Sequence, residues 1–396
     1  MDKKFKLKKK PNEISLFSPE IRGNEWKYIK NCLDTAWVSS AGAYVGRFEN
    51  TMADYARRKY AVACTSGTAA LHTALLVMGI KPDDEVIVPA LTFVATANSV
   101  RYTGAWPVFI DVEKQFWQID IQKIKDFLTG ECQYRRGRLI NRRTGRTVKA
   151  VMPVDLLGHP ADMDAVLKLA RTFGLVVIED AAAAVGSFYK KEPVGSLADI
   201  ACFSFNGNKI VTAGGGGMIV TDHSTWAKKA RYLTTQAKDD PIEHIHNTIG
   251  FNYRLTNIQA ALGLAQMERL KGFLKIKRRI AKLYDDDLNE VNGISIPREA
   301  PWAGWNYWLY SILVDKTRYG KSSRDLLRSF QDTGIQTRPL WYPLHKQKPF
   351  QKCFAYRIEV TDSLYQDALS LPCSSGLNAE DQHRVISVVR HFKKKT

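Results

Sequence analysis

The chain contains 396 residues, which predicts a large domain with a smaller one, because single hydrophobic cores stop growing at this length. Hydrophobic residues make up 45% and charged residues 25%, a balance that is typical of a globular protein and excludes wholesale disorder. The 58 lysine and arginine residues outnumber the 40 aspartate and glutamate residues, and this net charge of +18 raises the question of an anionic partner.

The basic excess is concentrated in the N-terminal residues 1–13, in the C-terminal HFKKKT and in the segment 135–149. In the last segment it comes from Arg135, Arg136, Arg138, Arg142, Arg143, Arg146 and Lys149. We interpret the three segments as solvated tails and one basic hairpin. The functional alternative is that the 135–149 segment attracts a phosphorylated substrate. Nucleic acid is a weaker alternative, since no zinc finger, RNP1 pattern or basic zipper accompanies the charge.

The cysteines, Cys32, Cys64, Cys132, Cys202, Cys353 and Cys373, are scattered without a CxxC pair. This spacing predicts reduced thiols in a cytoplasmic protein, with neither a disulfide framework nor a metal site. No apolar segment follows the lysine-rich N-terminus, so we predict no secretory signal. The uncharged run 61–80 is long enough to cross a bilayer, but TSGT within it separates a short strand from a short helix, and we predict no membrane span.

Short apolar segments alternate with amphipathic ones through the first part of the chain. The predicted strands are 85–89, 106–112, 149–155, 175–180, 201–205 and 218–222. Between strands, Thr68–Met78 and the segment from Asp162 to Gly174 have helical spacing, with Asp162 as the N-cap and Gly174 as the stop. This alternation predicts an α/β fold with a largely parallel sheet.

The pattern changes after about residue 255. One long helix is predicted over 257–288, followed by a loop at 297–306 that is rich in proline and tryptophan. A strand at 307–315, a helix from Ser323, a strand at 335–340 and a last helix at 380–392 complete a smaller α+β domain. We therefore divide the chain into a basic tail (1–13), a large α/β domain (14–265) and a smaller C-terminal domain with its connecting helix (266–396).

Three polar features occur where predicted strands end. Gly67, Thr68 and Ala69 open a helix directly after a strand, where free N–H groups and the helix dipole favour a phosphate. Asp180 ends the strand 175–180, at the sheet edge where α/β proteins bind ligands. Lys209 follows the strand 201–205 in a glycine-rich segment, where desolvation would make its amine a nucleophile. Alone, each has a plainer explanation: a helix cap, a solvated strand end and a surface lysine.

Together and in this order, the three features match the needs of a pyridoxal phosphate (PLP) enzyme. The helix N-terminus would hold the phosphate, Asp180 would keep the pyridine nitrogen protonated, and Lys209 would bond to the cofactor. The glycine run 214–217 lacks the GxGxxG spacing and precedes a strand, which argues against NAD.

Longer motifs extend this interpretation to nearly the whole chain from about Ile14 onward. They are FSPEI, WVSSAGAYVGRFE, CTSGTAALHTAL, VPALTFVATANSV, GHPADMD, VIEDAA, ACFSFNGNK, GGGGMIVT, GFNYRLTNIQAALG and RPLWYPLH. With them the sequence resembles the DegT/DnrJ/EryC1/StrS family of sugar aminotransferases. The resemblance implies fold type I: a large α/β domain of the aspartate aminotransferase type, with a mainly parallel sheet, and a smaller α+β domain. GNK and the insert GRLINRRTGRTVKA are most similar to the branch that aminates C4 of nucleotide-linked 4-keto-6-deoxy sugars, which includes the legionaminic-acid-pathway and perosamine-type enzymes.

The resemblance also implies roles for individual residues. Lys209 matches the Schiff-base lysine and Asp180 the partner of the pyridinium nitrogen. The phosphate contacts match Gly67, Thr68, Ala69 and Ser204, with Asn252 reaching the phosphate from the neighbouring subunit of a homodimer with shared active sites. Phe93 matches the aromatic residue that stacks on the cofactor ring.

Other positions concern the substrate. Trp37, Ser39, Trp341 and His345 fall in segments that line the sugar site in the family. Ala183 departs from the family, which usually has glutamine, histidine or glutamate three residues after the aspartate, near the cofactor ring. Lys209 itself argues against the dehydratase branch, where histidine replaces the lysine.

The resemblance predicts transfer of an amino group from glutamate to the C4 ketone of a UDP- or GDP-linked sugar, in the biosynthesis of surface polysaccharide such as lipopolysaccharide. One alternative keeps the cofactor but aminates C3 of a sugar or a cyclitol ketone. A second alternative, of another class, is a catalytically idle basic binding protein.

Overall fold

The computed structural model describes residues 13–240 and 242–392. Most of the predicted basic tail and the last four residues of the chain lie outside these ranges. The described residues form the following strands: β1 (Tyr60–Cys64), β2 (Glu85–Pro89), β3 (Trp106–Ile110), β4 (Cys132–Arg135), β5 (Arg138–Asn141), β6 (Val148–Val151), β7 (Val176–Asp180), β8 (Phe188–Tyr189), β9 (Glu192–Pro193), β10 (Ile200–Ser204), β11 (Gly217–Thr221), β12 (Ile294–Ser295), β13 (Ala303–Gly304), β14 (Tyr310–Val314), β15 (Ala355–Tyr356) and β16 (Ala368–Leu371).

The helices surround these strands. They are α1 (Glu25–Asp34), α2 (Ala43–Tyr55), α3 (Gly67–Val77), α4 (Ala95–Tyr102), α5 (Ile121–Gly130), α6 (Met163–Phe173), α7 (Ser224–Thr234), α8 (Asn257–Met267), α9 (Leu270–Leu288), α10 (Lys316–Tyr319), α11 (Ser323–Asp332), α12 (Val360–Asp367) and α13 (Ala379–His391). None of the helices in the described ranges is long and apolar enough to cross a membrane.

An eight-stranded sheet forms the centre of the fold, in the order β1-β11-β10-β7-β6-β2-β3-β15. Neighbouring strands are parallel except that β11 runs antiparallel to both β1 and β10. Helices α3, α4 and α7 cover one face and α5 and α6 the other, so the central strands are buried on both sides. The predicted α/β class with a mainly parallel sheet is confirmed, because strands that are apolar on both faces need a helix layer on each.

The predicted strand and helix positions agree with the observed ones within about three residues, with three exceptions. In α6, the Asp162 side chain accepts from the N–H of Ala165, and Gly174 ends the helix in the left-handed conformation, as predicted. The first exception is the strand predicted over 149–155, which ends at Val151. Its continuation pairs with β7 only through the single bridge between Val154 and Asp180.

The second exception is the long helix predicted over 257–288. The chain instead forms α8 and α9, which separate at Glu268 and Arg269. The Glu268 carboxylate accepts hydrogen bonds from Asn24 and Tyr28 at the start of the chain. The junction therefore coincides with contacts to distant residues, which local helical spacing does not reveal.

The third exception is the strand predicted over 335–340. Only two isolated bridges form there, between Ile14 and Ile335 and between Arg338 and Ser370. Pro339 comes directly after Arg338 and has no N–H to donate to a ladder. The segment still runs beside β16, and this places Arg338 next to the central sheet's ligand-binding edge.

A second, three-stranded sheet in the order β12-β14-β16 packs with α9, α11 and α13 around its own buried cluster. Tyr284, Tyr310 and Phe330 are among the large side chains at its centre. This layer agrees with the smaller α+β unit expected from the sequence. β15, from the same part of the chain, extends the central sheet beside β3, so the domain limits at 13, 265 and 266 stay predictions.

The basic 135–149 segment forms the hairpin of β4 and β5 and continues into β6. The Asn141 amide donates to Glu85, the first residue of β2, over 2.9 Å. The hairpin therefore lies at the amino ends of the parallel strands. Ligands of α/β sheets bind at the carboxyl ends, so within one protomer this segment does not line the site where the sequence suggested it would act.

Candidate active site

A cavity of about 460 Å³ opens at the carboxyl ends of the central strands. Its walls come from three parts of the chain: the turns after β1, β2, β6, β7 and β10, the segment 16–17 near the N-terminus, and the segments 308–309 and 338–341 of the C-terminal part. Because parallel strands end at one edge, residues far apart in sequence meet here.

The turn between β1 and α3 forms one end of the cavity. The Ser66 hydroxyl caps α3 by accepting from the N–H of Ala69 at 3.0 Å. Helix geometry leaves the N–H groups of Gly67 and Thr68 without partners inside α3, and both residues line the cavity. The three predicted phosphate residues of this turn thus differ: the amides of Gly67 and Thr68 are available to a ligand, whereas the amide of Ala69 already serves the cap.

Ser204, at the end of β10, faces the same turn across a narrow gap. A Cβ atom on Gly67 would lie 2.8 Å from the Ser204 Cβ, closer than carbon atoms approach in proteins. Glycine is therefore required at position 67 by close packing of the turn against β10. This packing brings the Ser204 hydroxyl beside the free N–H groups, where all of them can donate to one anion.

Asp180 ends β7 and is 3% exposed. Its carboxylate accepts from the Thr96 hydroxyl at 2.7 Å and from the N–H of Ala182 at 3.2 Å. Burial raises its pKa, and the hydrogen bonds from Thr96 and Ala182 and the charge of Lys209 oppose this shift. The three opposing interactions favour a carboxylate that is held in one orientation with an edge toward the cavity.

Lys209 lies on the turn that follows β10, and the backbone N–H of Lys209 donates to the carbonyl of Asn206. Burial lowers the pKa of its amine to about 8, while the negative charge of Asp180 raises it. At neutral pH a useful fraction of this amine is therefore uncharged and nucleophilic. Its Nζ atom lies 3.8 Å from the centre of the Trp308 ring.

Two buried acids next to Asp180 were not predicted as site residues. Asp155 lines the cavity, and its N–H donates to the Asp180 carbonyl at 3.1 Å. Burial and the neighbouring Glu179 carboxylate raise the pKa of Asp155 well above its usual range. Burial likewise raises the pKa of Glu179 to about 7. Both shifts favour the protonated acids, which limits the negative charge around Asp180.

The wall that faces Lys209 comes largely from the C-terminal part of the chain. Among its residues, only Trp341 was predicted from the sequence. Trp308 stacks on Phe17 at 5.8 Å and on Trp341 at 6.3 Å between ring centres. Arg338 lies with its guanidinium 5.7 Å from the centre of the Phe17 ring. The concentration of tryptophan after residue 300 was visible in the sequence, but nothing local indicated which ring would face the lysine.

The cavity also contains three further predicted residues: Phe93, Ala183 and Trp341. Phe93 is 54% exposed at the cavity mouth, and its ring lies 6.4 Å from that of Trp341. Ala183 presents only a methyl group, and its carbonyl accepts from Asn306. Thus Gly67, Thr68, Phe93, Asp180, Ala183, Ser204, Lys209 and Trp341 are brought together.

The other predicted residues lie outside the cavity of their own protomer. Trp37 and Ser39 are exposed, and their carbonyls accept from the side chain and the N–H of Asn257, respectively. His345 lies on a 3₁₀ turn with Nε2 3.5 Å from Asp362, and burial lowers its pKa. Asn252 is exposed and pairs with Thr235. Any role of these residues at an active site requires a contact beyond the single protomer or a movement.

Comparisons with family models, with curated proteins and with solved structures all point to the same family. A family model described as the DegT/DnrJ/EryC1/StrS aminotransferase family matches residues 19–390. The chain is 40% identical over 378 residues to GDP-perosamine synthase of Caulobacter vibrioides, with 95% of this chain and 97% of that protein covered. It is 36% identical over 379 residues to GDP-perosamine synthase of Escherichia coli O157:H7, covering 96% and 98%. A solved DegT DnrJ EryC1 StrS aminotransferase from Brucella abortus is similar with a TM-score of 0.85 and 28% identity, over 94% of this chain and 96% of that one.

Proposed function

Because the chain belongs to the DegT/DnrJ/EryC1/StrS aminotransferase family, we propose that it is a PLP-dependent enzyme that aminates a nucleotide-linked sugar. The amino donor is glutamate and the acceptor is the C4 ketone of a 4-keto-6-deoxy sugar carried by GDP or UDP, for polysaccharide biosynthesis. The observation that carries this proposal is the meeting of a free helix N-terminus, a buried aspartate and a partly neutral lysine in one cavity.

The residues fit this cofactor. The N–H groups of Gly67 and Thr68 and the hydroxyl of Ser204 would hold the phosphate, and their close packing leaves no room for a side chain at position 67. Asp180 would hold a proton on the pyridine nitrogen, since a carboxylate with a fixed orientation pairs well with a cation. Phe93 would cover the ring.

When bound, PLP supplies a ring that withdraws electrons from the carbon next to the transferred amino group. Lys209 Nζ accepts the proton from the Cα atom of the donor and, as an ammonium group, returns a proton later. A pKa of about 8 suits both directions near neutral pH.

Arg338 is suited to the carboxylate of the amino donor. It lines the cavity, and no carboxylate of the described residues lies within ion-pair distance of its guanidinium. Its N–H donates to the Ser370 carbonyl at 3.2 Å, and its carbonyl accepts from Ser370 at 2.7 Å, which fixes the backbone against β16. A planar guanidinium binds a carboxylate through two parallel hydrogen bonds.

The proposal includes a homodimer in which Asn252 reaches the phosphate of the partner's site. Asn252 is exposed and follows a segment in which Ile242 and Ile249 are 82% and 85% exposed. Large apolar side chains that protrude in this way favour a protein partner. In such a dimer, Trp37 and Ser39 would belong to a site completed by the other subunit.

Subunit complementation tests the shared site. Lys209→Ala and Asn252→Ala should each abolish activity, but mixed dimers of the two variants would contain one site with Lys209 and Asn252 both intact. We expect activity to return on mixing through unfolding and refolding, up to about a quarter of the wild-type value for random pairing. Activity that stays absent in verified mixed dimers would contradict the shared site.

The cofactor and donor are tested together by visible absorption of the protein with PLP, before and after glutamate. We expect a band of covalently bound cofactor that fades on adding glutamate, and no such band in Lys209→Ala. A wild-type protein without the band would refute the aminotransferase proposal. A band that does not respond to glutamate would indicate another donor. NMR of the product of a complete reaction then separates amination at C4 from amination at C3.

A further inference from the structure

The Trp308 indole has an unusual position relative to Lys209. The lysine Nζ lies over its ring, 3.8 Å from the centre. Trp308 is 6% exposed and borders both the main cavity and a small cavity behind it that Lys209 and Lys277 also line. A cation over an indole face is attracted by the ring quadrupole, and the attraction is strongest where water is excluded.

The ring N–H, the backbone N–H and the backbone carbonyl of Trp308 each make a hydrogen bond. Its ring Nε1–H donates to the carbonyl of Asn208 at 2.7 Å, one residue before Lys209. Its backbone N–H donates to the Asn306 side chain at 2.8 Å, and its carbonyl accepts from Lys277 at 3.0 Å. The ring thus fixes both the lysine amine and the backbone turn that carries the lysine.

We propose that Trp308 is a positioning residue for Lys209, whose indole face binds the free ε-ammonium group whenever the lysine is not bonded to the cofactor. The inference rests on the proposed function, because it assigns a place to the lysine during the steps in which it carries a proton. The ring keeps the ammonium over the cavity, close to the carbon that exchanges the proton, and stabilises the charged form between proton uptake and release.

Several charged groups surround this amine, and their effects differ in sign. The Asp180 carboxylate stabilises the ammonium, and next to Asp180 lies Asp155, whose pKa is raised by burial and by Glu179. Arg338 lies on the cavity wall, and Lys277 lies behind Trp308, where burial lowers the pKa of its amine. The indole supplies attraction without introducing a proton acceptor, so the lysine is stabilised without losing its proton to a neighbour.

The test measures the rate at which protein stripped of cofactor captures PLP, as a function of pH, without any substrate. Capture requires the neutral amine, so the rate rises with pH through the pKa of Lys209. Removing the ring in Trp308→Leu should make the ammonium less stable and move the midpoint to lower pH by about one unit. Trp308→Phe keeps a ring and should restore most of the wild-type midpoint.

Trp305→Leu is the matched control. Trp305 is also buried and donates its ring N–H to a carbonyl, that of Leu157, but it does not line the main cavity. The Trp305→Leu variant should lower the stability of the fold as Trp308→Leu does, but it should leave the pH midpoint of PLP capture unchanged. If Trp308→Leu does not fold, Trp308→Met gives the same measurement.

The outcomes separate the two proposals. Wild-type protein that captures no PLP overturns the proposed cofactor. Normal wild-type capture, with an unchanged midpoint in the folded ring-less variants, overturns the role of Trp308 alone. A midpoint that moves to higher pH also overturns it, because the ring would then be excluding water rather than binding the cation.

Discussion

The two sides of the cavity are built in different ways. On the cofactor side, Gly67, Asp180 and Ser204 occupy strand ends and a helix start, and backbone packing sets their positions. On the opposite side, Trp308 and Arg338 project from the C-terminal part, and contacts among the side chains of that wall hold the rings together.

The difference predicts how each side responds to change. Where backbone packing sets the positions of the site residues, almost no atom can be added, because the sheet and helix cannot move apart without losing buried contacts. A wall of stacked side chains can repack, so its substitutions should change rates and affinities by degrees. The predictions below test this contrast, beginning with the largest effect.

Asp180→Asn should have the largest effect on the cofactor side. The amide fits the hydrogen bonds from Thr96 and Ala182 poorly and cannot hold a positive ring nitrogen. We expect kcat to fall about a thousandfold, the upper range for losing a preorganised electrostatic partner. Single-turnover rates with glutamate measure this. Thr96→Val removes one hydrogen bond to Asp180 but leaves its charge, so it should lower kcat far less. Equal losses in the two variants would contradict a special role for the charge.

Gly67→Ala tests the close packing of the phosphate turn. The added Cβ would lie 2.8 Å from that of Ser204 and should force the turn and β10 apart. We expect about ten- to hundredfold weaker PLP binding, as overpacking costs of this kind imply. Titration of the stripped protein measures the dissociation constant. Gly272→Ala on α9 is the control, since a Cβ there meets no atom. An unchanged affinity for PLP in Gly67→Ala would show that the phosphate turn can repack as readily as the opposite wall.

Arg338→Gln tests the substrate wall. We expect KM for glutamate to rise about tenfold, because one charge-assisted pair is lost, with a smaller change in KM for the nucleotide sugar. Arg328→Gln, which removes a surface cation of α11 paired with Asp325, should change neither constant. If KM rises for the nucleotide sugar instead, the guanidinium faces the diphosphate, and another group binds the donor carboxylate.

The smallest expected effect is a shift in pH dependence. The capture rate of PLP should have its midpoint near pH 8, the pKa to which burial lowers the Lys209 amine. The Asp180 charge raises this pKa, so Asp180→Asn should move the midpoint to lower pH. A wild-type midpoint near that of free lysine would show that the amine is not desolvated in solution.

The sequence by itself determined the fold class and supplied the prediction of the cofactor side. Apolar strands, the cap at Asp162 and the turn at Gly67 are local features, because hydrogen bonding and backbone geometry within a few residues create them. The resemblance added roles for Lys209 and Asp180 at positions where strands end. The cavity contains both residues, since parallel strands deliver their carboxyl ends to one edge.

Only the tertiary structure decided which residues form the wall opposite the cofactor side and where predicted helices and strands are interrupted. Glu268 contacts residues near the start of the chain, and the segment 335–340 pairs with β16 only at Arg338 and Ser370. Asp155 became a buried neighbour of Asp180 with a raised pKa, and Trp308, 99 positions after Lys209, became the ring over its amine. The physical reason is that burial, pKa shifts and ring stacking depend on which distant segments pack together, and local patterning carries little information about such contacts.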